Sequence, residues 1–280
     1  MIGCMRGDSR ADSDVEGGKL RMMRKVVFFR PEGALKRTKE VVERYCCEFF
    51  GFSVFELRTC EGACDEIAEF LRDGAPDFVI FTSENGVKHA FKTCAGRIDL
   101  RLALSSAKIC AIGPATMREL RRHGFDHVLM PDGDYSSRGL MRMLSEITKG
   151  KRVLLLRSSA GSENLSNFLR EKGAYVRDIA VYEPILMKTP EKKMELQSLI
   201  AFKPDFVVFT SSLTFKSLME LADAFDMRKD VEDVLKSSKI IAIGNPTAET
   251  IASHGLNAVV APKSTVEDVM KIIVESRCRG

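Results

Sequence analysis

The chain has 280 residues, 45% of them apolar and 29% charged, with a net charge of +4. This is the make-up of a folded globular protein of one large domain or two smaller ones, and it excludes disorder, collagen and coiled coil. No run of about 18 apolar residues occurs, which excludes a transmembrane helix. The mild charge forms no basic stripe, so nucleic acid is not the expected partner, whereas a small anionic ligand fits.

In chain order, Met1–Met22 is polar, contains Gly7, Gly17 and Gly18, and carries alternating charges. It has no apolar core of a signal peptide. It reads as a disordered tail, or the true start lies near Met22 or Met23. Beyond it, short runs rich in Val, Ile and Phe alternate with longer stretches of helical spacing. Strands are predicted at Val26–Arg30, Ser53–Leu57, Phe78–Thr82, Lys108–Ile112 and His127–Met130, then at Val153–Arg157, Val176–Val181, Phe206–Thr210, Ile240–Ile243 and Ala258–Ala261. Helices are predicted at Glu32–Phe50, Cys64–Asp73, Glu84–Cys94, Pro114–His123 and Ser137–Thr148, then at Glu163–Lys172, Pro190–Ala201, Leu213–Phe225, Pro246–His254 and Val266–Ser276. Unbroken apolar runs such as Phe78-Val79-Ile80-Phe81 suit strands buried on both faces of a parallel sheet.

The chain also repeats itself. Pro76–Ser83 reads PDFVIFTS and Pro204–Ser211 reads PDFVVFTS, identical at seven of eight positions. Ala107–Thr116 (AKICAIGPAT) answers Ser238–Thr247 (SKIIAIGNPT), and Lys25–Arg30 (KVVFFR) answers Arg152–Arg157 (RVLLLR). Two copies of one domain-sized module fill the chain after Met22. The expected fold class is α/β, with two similar doubly wound parallel-sheet lobes.

Ligands of open parallel sheets bind beyond the carboxyl ends of the strands. There the first copy holds Thr82, Ser83, Asn85 and, further on, Gly113 and Thr116; the second holds Thr210, Ser211, Ser212, Gly244 and Thr247. Each loop opens a helix, and helix N-termini attract anions, carboxylates included. Taken one loop at a time, such hydroxyls read first as helix N-caps. Four matched loops in two copies point to a shared binding surface. No G-x-G-x-x-G follows a strand and no P-loop is present, so neither a nicotinamide, a flavin nor a nucleotide phosphate is the expected ligand. The eight cysteines are scattered and lack a second pair at zinc-ligand spacing; they read as reduced thiols, and no metal is expected. His123 and His254 precede glycines at helix ends, the ordinary place for a capping histidine. Tyr182 stands where a strand leaves one module, either packed at an interface or working in a site. Arg30 and Arg157 end equivalent strands, where each could meet a carboxylate or pair on the surface.

These pieces in this order resemble the uroporphyrinogen-III synthase family. The resemblance rests on Arg30-Pro31, FTSENGV (Phe81–Val87), AIGPAT (Ala111–Thr116) and MPDGDYSSRGLMRML (Met130–Leu144). It continues through VLLLRS (Val153–Ser158), VYEP (Val181–Pro184), FTSS (Phe209–Ser212) and AIGNPT (Ala242–Thr247), and spans roughly Lys25 to Glu275. It implies a cytoplasmic, monomeric, cofactor-free enzyme that cyclises hydroxymethylbilane, a linear tetrapyrrole with eight carboxylates. The terminal hydroxyl is expelled, the last pyrrole ring inverted through a spiro-pyrrolenine, and the macrocycle closed. The family's tyrosine falls on Tyr182 and its threonines on Thr116 and Thr247. Tyr182 and Thr116 are the expected catalytic residues. Arg30, Thr82, Ser83, Asn85, Gly113, Thr116, Ser136, Ser158, Thr210, Ser211, Ser212, Gly244 and Thr247 are the expected substrate contacts. Many relatives carry a glycine-rich run where this chain has Ser158-Ser159-Ala160-Gly161-Ser162. The resemblance also implies that residues 23–57 and 182–280 form one lobe and 58–181 the other, joined by a two-stranded linker. A non-catalytic two-lobed binding or sensor protein is the alternative; it would need no chemistry at Tyr182.

Overall fold

Strand and helix alternate through residues 23–262 and 265–276, which the computed structural model describes; the expected tail Met1–Met22 lies outside them. The order is β1 (Arg24–Phe29), α1 (Glu32–Glu43), β2 (Cys47–Phe52), β3 (Phe55–Thr59), α2 (Ala63–Arg72), β4 (Phe78–Phe81), α3 (Glu84–Cys94), α4 (Leu100–Ala103) and β5 (Lys108–Ala111). Then come α5 (Pro114–Arg122), β6 (Val128–Leu129), α6 (Ser137–Leu144), β7 (Arg152–Ser158), α7 (Asn164–Glu171) and the long β8 (Tyr175–Leu186). The chain closes with α8 (Pro190–Phe202), β9 (Phe206–Phe209), α9 (Ser212–Ala224), α10 (Arg228–Ser237), β10 (Lys239–Ala242), α11 (Asn245–Ala252), β11 (Ala258–Val260) and α12 (Val266–Glu275). None of these helices is long and apolar enough to cross a membrane.

Two sheets result. One runs β11-β10-β9-β1-β2, all parallel. The other runs β3-β8-β7-β4-β5-β6, parallel except for β3 against β8. The first five-strand order reappears in the second sheet as β6-β5-β4-β7-β8, so the two lobes share one doubly wound plan. The order reverses between β1 and β9 in one lobe and between β7 and β4 in the other, and such switch points open a crevice at the carboxyl ends.

Both faces of each sheet are covered, which explains the unbroken apolar runs. In β1, Val27 and Phe29 pack with Val207, Phe209 and Phe215 on one side. Val26 and Phe28 pack with Val41, Val269 and Met270 on the other. Phe29 stacks on Phe209 with ring centroids 4.7 Å apart across the switch point. The second sheet repeats this, with Val79, Phe81, Leu154 and Leu156 facing one core and Phe78, Ile80, Val153 and Leu155 the other. Gly124 and Gly255 follow α5 and α11 at φ of 85° and 73°, left-handed values that glycine adopts without strain.

The expected helix Glu32–Phe50 is corrected. It ends at Glu43, the chain turns through Cys46 at φ 52°, and Cys47–Phe52 becomes β2. The strand pairs with β1 along six residues, from Arg24↔Cys47 to Phe29↔Phe52. Aromatic residues that complete a sheet gain more from this pairing than from extending a helix. The strand expected at Ser53–Leu57 is displaced to Phe55–Thr59, and α4 and α10 were not foreseen.

The copies interleave. β1 and β2 of the first copy join β9, β10 and β11 of the second, while β7 and β8 of the second join β4, β5 and β6 of the first.

Candidate active site

The site is built at a break in β8. Arg157 pairs with Ala180 but Ser158 pairs with Tyr182, so Val181 is an extra residue on β8. Successive side chains of a regular strand point to opposite faces. Here Val181 and Tyr182 pack into the same core, because the bulge re-aims the tyrosine. Its backbone is clamped: the Tyr182 carbonyl accepts from the Ser159 amide at 2.9 Å, and the Val181 carbonyl from the Cys60 amide at 3.2 Å.

Tyr182 is 8% exposed. Its phenol lies 3.0 Å from the Ser83 hydroxyl. That hydroxyl also accepts the Gly86 amide at 2.9 Å as the N-cap of α3. Thr82, Ser83, Ser158 and Tyr182, with Arg157, line a cavity of about 240 Å³ at the β7–β4 switch point. Four residues singled out in the sequence thus meet in one crevice. A larger cavity, about 540 Å³, is lined by Asp99, Arg101, Phe125 and His127. It lies beside the amino ends of β5 and β6, where open sheets do not hold their ligands.

Two residues that sequence reasoning missed complete the surroundings of the phenol. The His89 ring stacks on Tyr182, centroids 5.1 Å apart and planes 24° from parallel. His89 Nδ1 and Thr59 Oγ1 are 2.8 Å apart, and Thr59 is the register partner of Tyr182 across β3 and β8. Burial first, then Lys92 and Lys88, hold His89 below the usual histidine value. Neither residue belongs to a motif, so nothing in the sequence marks them.

The helices that follow the strands of the two sheets start in two ways. Ser83, Ser136 and Ser211 cap α3, α6 and α9 with side-chain oxygens on the amides of Gly86, Gly139 and Thr214. Gly113 and Gly244 cap α5 and α11 with extended backbone and no side chain to offer. Thr116 and Thr247 lie three residues on, 2% and 5% exposed. Gly113 is pressed by Tyr135: a Cβ there would come within 3.1 Å of the Tyr135 Cβ. Asn85 sits half-buried in the first turn of α3. In the other lobe, Thr210 donates to the Phe29 carbonyl at 3.0 Å and Ser212 to the Pro246 carbonyl at 2.9 Å. Thr210 ties the loop after β9 to β1, Ser212 ties the start of α9 to the start of α11, and Ser211 forms a capping box with Thr214.

The two matched arginines divide their labour. Arg157 grips Asp178 with Nε at 2.7 Å and Nη2 at 3.0 Å, and its Nη1 donates to the Ser158 and Gly161 carbonyls. It ties down the loop Ser158–Ser162. The Arg30 guanidinium donates from Nη1 to Thr38 Oγ1 at 2.8 Å, and among the described residues its buried Nε has no hydrogen-bond partner. Burial, then the like charge of Arg37, lowers its pKa, while Glu267 and Glu84 act in the other direction. The half-buried guanidinium, at the carboxyl end of β1, presents donors that suit a carboxylate. Among the described residues, no group of three His, Cys, Asp or Glu could hold a metal ion.

Comparison with known proteins adds to this geometry. The family model described as Uroporphyrinogen-III synthase HemD matches residues 39–271. A Methanothermobacter thermautotrophicus protein is 33% identical over 205 residues, covering 71% of this chain and 78% of its own. One from Archaeoglobus fulgidus is 29% identical over 254 residues, covering 89% and 97%. Both bear the name "Putative uroporphyrinogen-III synthase". The crystal structure of a mutant uroporphyrinogen III synthase from the extremely thermophilic bacterium Thermus thermophilus shares the fold, with a TM-score of 0.63, 19% identity, and coverage of 91% of this chain and 100% of that one.

Proposed function

Since the chain belongs to the uroporphyrinogen-III synthase family, we propose that it cyclises hydroxymethylbilane to uroporphyrinogen III with inversion of the terminal pyrrole ring and loss of water. The observation that carries the reading is the Tyr182 phenol, buried against the Ser83 hydroxyl at the switch-point cavity. Loss of the substrate hydroxyl breaks a C–O bond next to an electron-rich pyrrole. The pyrrole nitrogen supplies the push, and the phenol supplies a proton so that water leaves. Ser83 can donate to the phenolic oxygen as the proton departs, which steadies the developing phenolate.

The remaining work is positioning. Arg30 takes a substrate carboxylate through the accessible part of its half-buried guanidinium. The glycine-capped starts of α5 and α11 take others on backbone amides, with Thr116 and Thr247 adding hydroxyls. Ser136, Asn85 and Ser158 line the approach in one lobe; Thr210, Ser211 and Ser212 shape it in the other. Residues 23–57 with 182–280 form one lobe and 58–181 the second, and the β3–β8 pair between them lets the lobes close on the folded chain of the substrate. The proposed enzyme is a cytoplasmic monomer that uses no cofactor and binds neither nucleic acid nor membrane.

The test is direct. The protein is mixed with freshly generated hydroxymethylbilane, the product oxidised, and the I and III isomers resolved. Spontaneous closure gives the I isomer, so predominance of III supports the proposal. Isomer I alone, at the rate of buffer, overturns it and returns the binding-protein reading.

A further inference from the structure

Three side chains around the Tyr182 phenol form with it a chain of contacts that the mechanism above uses only at one end. Ser83 caps α3 and bonds Tyr182; His89 lies on the next turns of α3 and stacks on the Tyr182 ring; Thr59 bonds His89 from β3. Thr59 and Tyr182 face each other across the strand pair. One helix therefore holds both the hydroxyl and the ring plane of the tyrosine. We propose that His89 is a positioning residue: its imidazole plane fixes the Tyr182 ring so that the phenol stays aimed between Ser83 and the substrate hydroxyl. This rests on the reading of Tyr182 as the proton donor.

The physical case is one of degrees of freedom. A strand tyrosine clamped by its backbone still turns about its side-chain bonds. The Ser83 hydroxyl limits the oxygen but leaves the ring plane free to tilt. An aromatic neighbour at stacking distance removes that tilt. The bond to Thr59 in turn fixes the imidazole, and burial keeps it neutral.

The experiment compares two substitutions that both remove the Thr59 bond. His89→Phe keeps an aromatic plane; His89→Leu keeps bulk without it. With hydroxymethylbilane as substrate, His89→Leu should lower kcat about threefold to tenfold at nearly unchanged KM, while His89→Phe stays within about twofold. In a Tyr182→Phe background, His89→Leu should cost nothing further, since the phenol it positions is gone. Equal losses for Leu and Phe, or the same loss with and without the phenol, overturn the proposal. A second readout needs no turnover. The chain has four tyrosines and no tryptophan, so the near-ultraviolet circular dichroism of wild type minus Tyr182→Phe isolates this ring. His89→Leu should collapse that band and His89→Phe retain it; a band unchanged in His89→Leu overturns the proposal. Absence of the III isomer with wild type overturns the functional reading instead, and the dichroism still decides the role of His89.

Discussion

Tyr182 and Ser83 share one hydrogen bond at 3.0 Å, and the proposed chemistry hangs on the phenolic proton. Tyr182→Phe keeps the buried ring and removes that proton. We expect kcat to fall about tenfold to a hundredfold with little change in melting temperature; turnover within about twofold of wild type would assign Tyr182 to packing. Thr116→Ala and Thr247→Ala each remove one hydroxyl from an otherwise side-chain-free helix start. Each should weaken kcat/KM by about tenfold, the worth of a hydrogen bond to a carboxylate, without abolishing binding. If both behave as wild type, these threonines only pack. His89 gives a pH signature. Its pKa is lowered in the fold, so the folded state binds fewer protons than the unfolded one. Stability is then unaffected above the ordinary value of 6.5 and falls as the pH drops below it toward the folded value. Urea unfolding of wild type and His89→Phe should diverge on acidification below that point and run parallel above it. Tyr182 and Ser83, which the structure brings together, stand in family-like and repeated motifs. His89 and Thr59 do not: stacking across a helix and a strand leaves no spacing rule in the sequence.

At the scale of elements, strands were legible where apolar residues ran unbroken, as in β4 and β9, since burial on both faces leaves no other pattern. The failure at Glu32–Phe50 has a physical cause. Val41 and Val42 continue the helical spacing up to Cys46, and only pairing with β1 shows that the aromatics beyond belong to a strand. The bulge at Arg157/Ser158 was equally hidden, for it depends on the register between β7 and β8. Helix starts supply a test. Ser83→Ala and Thr189→Ala each delete an N-cap, one at α3 and one at α8. Each should lower the melting temperature by about 2–4 °C. Only Ser83→Ala should also reduce kcat, because only that oxygen meets the phenol. Equal kcat for the two variants would separate the cap from the chemistry. A further substitution probes α6, where a Cβ on Gly139 would lie 1.9 Å from the Asp134 carbonyl oxygen. Gly139→Ala should cost about 2–3 kcal/mol in urea unfolding through overpacking; an unchanged midpoint would mean that the loop before α6 yields.

For the whole molecule, the repeat disclosed two modules, but the partition of strands between the sheets came from the family resemblance; the repeat alone would cut the chain near Gly150. All strands of the six-stranded sheet lie within Phe55–Leu186, whereas the five-stranded sheet draws on both ends of the chain. A fragment of residues 54–187 should therefore fold by itself, with cooperative thermal unfolding, and a fragment of residues 23–150 should not. Cooperative folding of the second fragment would contradict this account of the interleaving. The same feature bears on how the protein is made. β1 is an interior strand whose neighbour β9 is far along the chain, Val26 lying opposite Phe206. At synthesis rates of about 5–20 residues per second, β1 waits roughly ten to thirty-five seconds for that partner to emerge. Meanwhile the sheet that starts later finishes first. Through this interval the edge of β1 that β9 will pair is open, and the nascent chain carries an unpaired apolar strand until its last quarter begins to leave the ribosome.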